Sequence, residues 1–197
     1  MNALHHEESD KSSAALLLVD MINPLDFDGG DALCRYALPM ADRLADFKRR
    51  TKAAGIPAIY VNDNFGRWQS DFNRLVDHCT RDGVLGKPIV EKLLPEEEDF
   101  FVLKPRHSGF FSTSLGTLLN YLGVKTTIIT GMATDICVLF TANDAYLSEY
   151  QVIVPRDCVA AEQERYNDEA LDLMARVLKA DTTPSTELDL ERLLGRR

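Results

Sequence analysis

The chain has 197 residues, 45% of them hydrophobic and 27% charged, enough for one globular domain with a core that needs no disulfide or structural metal. A formal net charge of -9 repels polyphosphate backbones, so nucleic-acid binding is disfavoured, and no apolar run approaches the roughly 20 residues of a membrane span. Four cysteines (Cys34, Cys79, Cys137 and Cys158) without a C-x-x-C pair argue against a disulfide framework or zinc knuckle.

Residues 1–13 are polar and lack a secretory apolar core, so they read as a flexible tail ahead of a single domain over 14–197, with the cytoplasm as the expected location. "AALLLV" (14–19) is a fully buried strand stopped by the turn-rich "DMINPLDFDGGD". Apolar spacing predicts a helix over about 38–54. Its basic cluster, Lys48, Arg49, Arg50 and Lys52, reads as a solvated face.

"PAIYVN" is a second strand, after which residues 62–98 are too long and polar for a simple connection and suit a segment that covers a site. Strand-like "FFVLK", helix-like "SLGTLLNYLGV", strand-like "KTTIIT", helix-like "CVLFTANDAYLSEY", strand-like "QVIVP" and helix-like "NDEALDLMARVLKA" then alternate. "LDLERLL" near the end could close as a last short helix. Continuous apolar strands joined by helices imply a parallel sheet covered on both faces, a three-layer α/β/α architecture.

In such sheets ligands sit beyond the carboxyl ends of the strands. Three reactive side chains fall there: Asp20, Lys104 and Cys137. Each has a purely structural reading, Asp20 as a turn initiator, Lys104 as a solvated strand-end charge and Cys137 as a small buried hydrophobe. Together they supply a base, an electrostatic partner and a nucleophile. A place in the first turn of its helix, with Lys104 beside it, would favour the Cys137 thiolate; Asp20 would oppose ionisation and suit the task of taking the thiol proton.

These residues lie in "LLLVDMINPLDF", "FVLKPRHSGFFST" and "TGMATDICVLFTANDAY", which resemble in order the catalytic-Asp strand, the K-x-x-x-S-x-F segment and the G-x-x-T-D-x-C-V segment of the isochorismatase-like cysteine hydrolases, relatives of nicotinamidases and N-carbamoylsarcosine amidohydrolase. The resemblance implies a Rossmann-like, six-stranded parallel sheet and a catalytic triad of Asp20, Lys104 and Cys137. It also implies a cis peptide between Met132 and Ala133, with the Ala133 and Cys137 amides as an oxyanion hole. The activity so implied is C–N hydrolysis of a small amide, carbamoyl or imide through a thioester, Asp20 serving as acid and base throughout and no cofactor being required. Assembly as a homo-oligomer, a dimer or tetramer, is implied in the same way.

Two departures narrow the family expectation. The Asp-x-His pair by which nicotinamidases hold a metal is replaced by Asp63, Asn64 and Phe65, and the nearest downstream histidine is His78, so no metal site of that type and no nicotinamide substrate are expected. Isochorismatases proper resemble the chain but carry glycine at the nucleophile, so Cys137 favours an amide over a vinyl ether. A vinyl-ether or other non-amide hydrolase, and a catalytically idle binding or assembly subunit, remain the alternatives. Candidate substrate contacts near the motifs or in the inserted segment are Asn23, Phe27, Phe65, Arg67, Trp68, Arg106 and His107. Arg67 and Trp68 suit a clamp on a small carboxylate, while His5 and His6 fall in the tail.

Overall fold

A computed structural model describes residues 11–65 and 71–195. Strand β1 (Ala14–Val19) is buried along its whole length and lies at the centre of the sheet. It pairs in parallel with β2 (Ala58–Asp63) on one side and β4 (Thr126–Met132) on the other. Outside β2 lies β3 (Phe100–Lys104). Beyond β4 lie β5 (Gln151–Ile153), along its first half, and β6 (Val159–Ala160), along its last two residues. All six strands are parallel, as the resemblance implied.

Side chains alternate across this sheet into two cores. Leu16, Leu18, Ala58 and Tyr60 face helix α1 (Gly30–Ala53) through Met40, Leu44 and Phe47. Leu17, Val19, Ile59 and Ile129 face α4 (Leu115–Leu122), α5 (Leu139–Leu147) and α6 (Glu164–Val177), completing three layers. Short helices α2 (Phe72–Cys79) and α3 (Lys87–Val90) lie in the long β2–β3 connection, and α7 (Leu190–Leu193) forms the last helix. No helix among the described residues is long and apolar enough to cross a membrane.

The first helix begins at Gly30, about two turns before the apolar spacing placed it, and runs through Pro39. An interior proline removes a helical hydrogen bond and ordinarily costs about 3 kcal/mol. Here Leu33, Ala37 and Met40, spaced for one face, are buried on both sides of it, which offsets that loss. Nor is the basic cluster wholly solvated. Lys48 is buried, with Nζ 2.6 Å from Asp99 Oδ2 and 3.2 Å from Glu96 Oε1; Lys52 pairs with Glu96 and Glu98. These ion pairs tie α1 to the start of β3. Ser12 and Ser13, assigned to the tail by sequence, are fastened to the body: Ser12 N–H donates to Leu122 O at 2.9 Å, and Ser13 Oγ donates to Leu193 O at 2.9 Å.

Candidate active site

The strand order reverses direction at β1, whose successor β2 lies on one side and whose neighbour β4 lies on the other. Such a switch point, here at the carboxyl ends of β1 and β4, is the usual ligand position of open parallel sheets. Gly131 makes the close approach there possible. Its φ is 108°, and a Cβ would stand 2.1 Å from the Val19 carbonyl oxygen.

Asp20 follows β1 directly and holds a left-handed φ of 52°. For a non-glycine residue that conformation costs on the order of 1–3 kcal/mol and is characteristic of functional positions. Its N–H still donates to Val61 O at 2.9 Å, so the backbone leaves the sheet only after one more ladder bond. The carboxylate is 4% exposed; Oδ1 accepts from Asp63 N–H at 2.7 Å and Oδ2 lies 2.9 Å from Lys104 Nζ.

Lys104 ends β3 with no exposed surface. From there Nζ reaches across β2 to four acceptors: Asp20 Oδ2, the Arg106 carbonyl at 3.2 Å, Asp63 Oδ2 at 3.5 Å and Cys137 Sγ at 3.5 Å. Burial alone would lower its pKa. The negative charges around it, that of Asp20 before that of Asp63, outweigh that effect and raise it above the ordinary lysine value. Lys104 therefore stays an ammonium.

Cys137 sits in a wide π-helical turn, Thr134–Val138, between β4 and α5. The turn opens at a cis peptide between Met132 and Ala133. The N–H groups of Ile136 and Val138 both donate to Ala133 O at 3.1 Å, and Thr134 Oγ1 donates to Asn167 Oδ1 of α6 at 2.6 Å. π turns inside helices are found disproportionately at functional sites. The expected thiolate is not favoured at rest: burial, followed by the Asp20 charge, pushes the thiol pKa far up, and Lys104 only partly opposes them. Burial likewise raises Asp20, against the pull of Lys104. The resting pair is thus a neutral thiol beside a carboxylate that holds protons more tightly than usual.

The substrate candidates separate. His107 comes to the thiol, with Nδ1 3.9 Å from Sγ, and Arg106 contributes its carbonyl to Lys104. Phe65 is half-exposed beside the site, its N–H donating to Asp63 Oδ1 at 2.6 Å. Asn23 is buried and spends its Oδ1 on Leu25 N–H at 2.8 Å, closing its own turn rather than facing a ligand. Phe27 lines a different cleft of about 660 Å³ with Asp31, His78 and Leu85 and without the triad. Arg67 and Trp68, like His5 and His6, lie outside the described residues. Among the described residues no three His, Cys, Asp or Glu side chains gather as metal ligands would.

Two contributors were not singled out from sequence. Asp63 is the second carboxylate on Lys104; its signal was the parallel register that sets it beside Lys104. The other is a clasp that pins the loop after Lys104 to α5: Ser108 Oγ donates to Asp144 Oδ2 at 2.5 Å, and Gly109 N–H donates to Thr141 Oγ1 at 3.0 Å.

Comparison with known proteins agrees with this fold. Residues 14–185 match the isochorismatase domain model. The isochorismatase family protein YaaI of Bacillus subtilis (strain 168) is 41% identical over 178 residues, covering 90% of this chain and 97% of that one. A ureidoacrylate amidohydrolase, RutB of Methylorubrum extorquens, is 30% identical, over 75% of this chain and 70% of its own. Among solved structures, N-carbamoylsarcosine amidase from Thermoplasma acidophilum superposes with a TM-score of 0.68 at 26% identity, over 90% of this chain and 99% of that one. With one domain model spanning every strand and all three strand-end side chains, the chain belongs to the isochorismatase family.

Proposed function

We propose that this protein is a cysteine hydrolase that cleaves a C–N bond of a small amide, carbamoyl or imide compound through a thioester on Cys137. One observation carries the reading: a buried ammonium, Lys104, stands 2.9 Å from a carboxylate and 3.5 Å from a thiol, all three brought from different strand ends. The resting thiol is a poor nucleophile, and the carboxylate beside it, with its raised pKa, is matched to take the thiol proton as the sulfur attacks. Lys104 then faces the newly formed thiolate as counter-charge, while Asp63 keeps the ammonium paired once Asp20 has become neutral.

In this reading the Ala133 and Cys137 amides receive the oxyanion of the tetrahedral intermediate. The nitrogen leaves, and water releases the acid from the thioester. Ureido and carbamoyl compounds are the first class to test, because two similar proteins, RutB and N-carbamoylsarcosine amidase, are named for such substrates. A homo-oligomer, dimer or tetramer, belongs to the proposal. Half-exposed Phe140, packed against His107, is a surface it would cover.

The test is ammonia release from a panel of small amides and N-carbamoyl acids. The Cys137→Ala protein is expected to lose at least about a thousandfold in turnover, the scale seen when a covalent nucleophile is removed. Full turnover by that variant would rule out covalent catalysis.

A further inference from the structure

The Lys104 ammonium has three N–H donors and four acceptors within 3.5 Å: Asp20 Oδ2 at 2.9 Å, Arg106 O at 3.2 Å, and Asp63 Oδ2 and Cys137 Sγ at 3.5 Å each. The sulfur therefore competes for it with two carboxylates. Asp63 is held in that contest from two directions. Its register opposite Lys104 in the β2–β3 ladder sets it beside the ammonium, and its other oxygen, Oδ1, accepts from Phe65 N–H at 2.6 Å. Its own N–H meanwhile donates to Asp20 Oδ1 at 2.7 Å. One residue thus touches both the base and the ammonium.

The charges of this cluster decide how the thiol can ionise. Two carboxylates around one ammonium leave one excess negative charge at rest, in a site whose lysine is wholly buried and whose Asp20 is nearly so. A thiol proton lost to solvent would add a second negative charge there, which burial makes costly. A proton passed to Asp20 leaves the S–H electron pair on sulfur and makes the carboxylate neutral, so the total is unchanged. Without the Asp63 charge the cluster is balanced at rest, and loss of the thiol proton to solvent brings it only to the charge that the unaltered site already carries. The other groups around the sulfur are common to both cases: His107, with Nδ1 3.9 Å away, Asp135 in the same turn as Cys137, and the uncharged Asn167 through which α6 meets that turn.

We propose that Asp63 is a positioning residue, acting through Lys104, whose charge couples ionisation of Cys137 to Asp20. It keeps the ammonium from drawing a thiolate out of the resting site, so that the sulfur becomes nucleophilic as Asp20 takes its proton and not before. The assignment rests on the thioester reading above, in which Asp20 is that base. Its consequence is a nucleophile that is quiet without substrate. Alkylating and oxidising agents attack the thiolate, and they meet a neutral thiol even though an ammonium stands 3.5 Å from the sulfur.

Asp63→Asn removes the charge alone, because an amide oxygen can keep the Phe65 N–H bond and the backbone N–H still reaches Asp20. Iodoacetamide alkylation near neutral pH, followed on the Cys137 peptide by mass spectrometry, is expected to run about tenfold faster in this variant, the change in thiolate given by one pH unit. The partial exposure of Asp63 weakens its charge and holds the effect to that scale. The ultraviolet absorbance of the thiolate, taken as a difference from Cys137→Ala, should rise at lower pH than in the unaltered protein. Asp63→Glu restores the charge while disturbing the geometry, and should return alkylation to within about threefold of the unaltered rate. Alkylation of Asp63→Asn no faster than that of the unaltered protein overturns the proposal. Equal acceleration in Asp63→Asn and Asp63→Glu does so as well, since it would mark a loosened site rather than a lost charge. Turnover of the amide panel that Cys137→Ala retains would instead overturn the thioester reading, whatever the alkylation rates.

Discussion

Lys104 Nζ stands 2.9 Å from Asp20 Oδ2 in a place where Lys104 has no exposed surface and Asp20 almost none. Replacing one member of a buried pair strands the other charge and costs about 3–5 kcal/mol. Lys104→Met is therefore expected to lower stability by that amount, and Lys104→Met with Asp20→Asn to recover most of it, measured by urea unfolding as a double-mutant cycle. The sign of the pH dependence follows from Asp20. Its folded pKa is raised above the ordinary 3.8 and rises further without Lys104, so the folded state binds the proton more tightly, and stability falls as pH climbs above the unfolded value. The Lys104→Met deficit should widen as pH rises above the ordinary carboxylate value; a deficit that narrows as pH rises contradicts the assignment.

The same charges make an unusual forecast for Cys137. Asp20 raises the thiol pKa and Lys104 lowers it. Asp20→Asn removes the opposing charge and leaves the ammonium to the sulfur, so the thiolate becomes easier to form while turnover is lost. Iodoacetamide labelling of Cys137 near neutral pH should quicken in Asp20→Asn, and the thiolate absorbance should titrate at lower pH than in the unaltered protein. Slower labelling would show that Asp20 does not face the thiol as a charge.

The clasp between Ser108 and Asp144 gives a third prediction. Hydrogen bonds to a charged group contribute about 1.5–3 kcal/mol, and Asp144→Ala should lose a comparable amount. The loop carrying Arg106 and His107 should loosen as well, slowing acetylation of Cys137 about tenfold or more through misplacement of the groups around Lys104. Ser108 Oγ also accepts from Phe110 N–H at 3.1 Å, so adding Ser108→Ala to Asp144→Ala should cost only that further bond, about 1 kcal/mol, rather than the sum of the two single losses. Thermal unfolding, and stopped-flow release of 4-nitrophenolate from 4-nitrophenyl acetate as it acetylates Cys137, measure both effects.

At Gly131 a methyl group has no room: φ is 108° and the added carbon would lie 2.1 Å from Val19 O in the central strand. Gly131→Ala should cost more than about 4 kcal/mol, a fall in Tm of roughly 10 °C for a chain of this size, or prevent folding. Gly83→Ala is the control. Its φ is 81° but nothing lies within 4 Å, so only backbone strain, on the order of 1–3 kcal/mol, applies. Equal effects at the two positions would show that the approach of β1 to β4 is not limiting.

How far the sequence disclosed this structure differs by element. Strands β1 and β4 are buried throughout, so their unbroken apolar runs were readable without knowing their neighbours. The start of α1 was not. Gly29 and Gly30 look like turn residues, and the helix opens there without a side-chain cap. β6 has two residues, too few for any periodicity. Lys48 looked solvated because its partner Asp99 is 51 residues away. That Asp20, Lys104 and Cys137 stand at strand ends was legible through their three motifs. Asp63 and His107 took their places only through strand register and a clasped loop, which depend on contacts between distant segments.

The π turn at Thr134–Val138 carries a consequence for sequence length. A wide turn holds one residue more than an ordinary helical turn, and each residue of an α-helix advances the side-chain direction by about 100°. Deleting one residue between Thr134 and Ile136 would let the turn tighten into regular helix with α5 left in place. The sulfur would then be carried round the helix axis, away from the Lys104 ammonium. A one-residue change of length in this stretch would therefore disturb the site where a substitution need not, and the spacing from Gly131 to Cys137 fixes where the sulfur stands as firmly as any contact it makes.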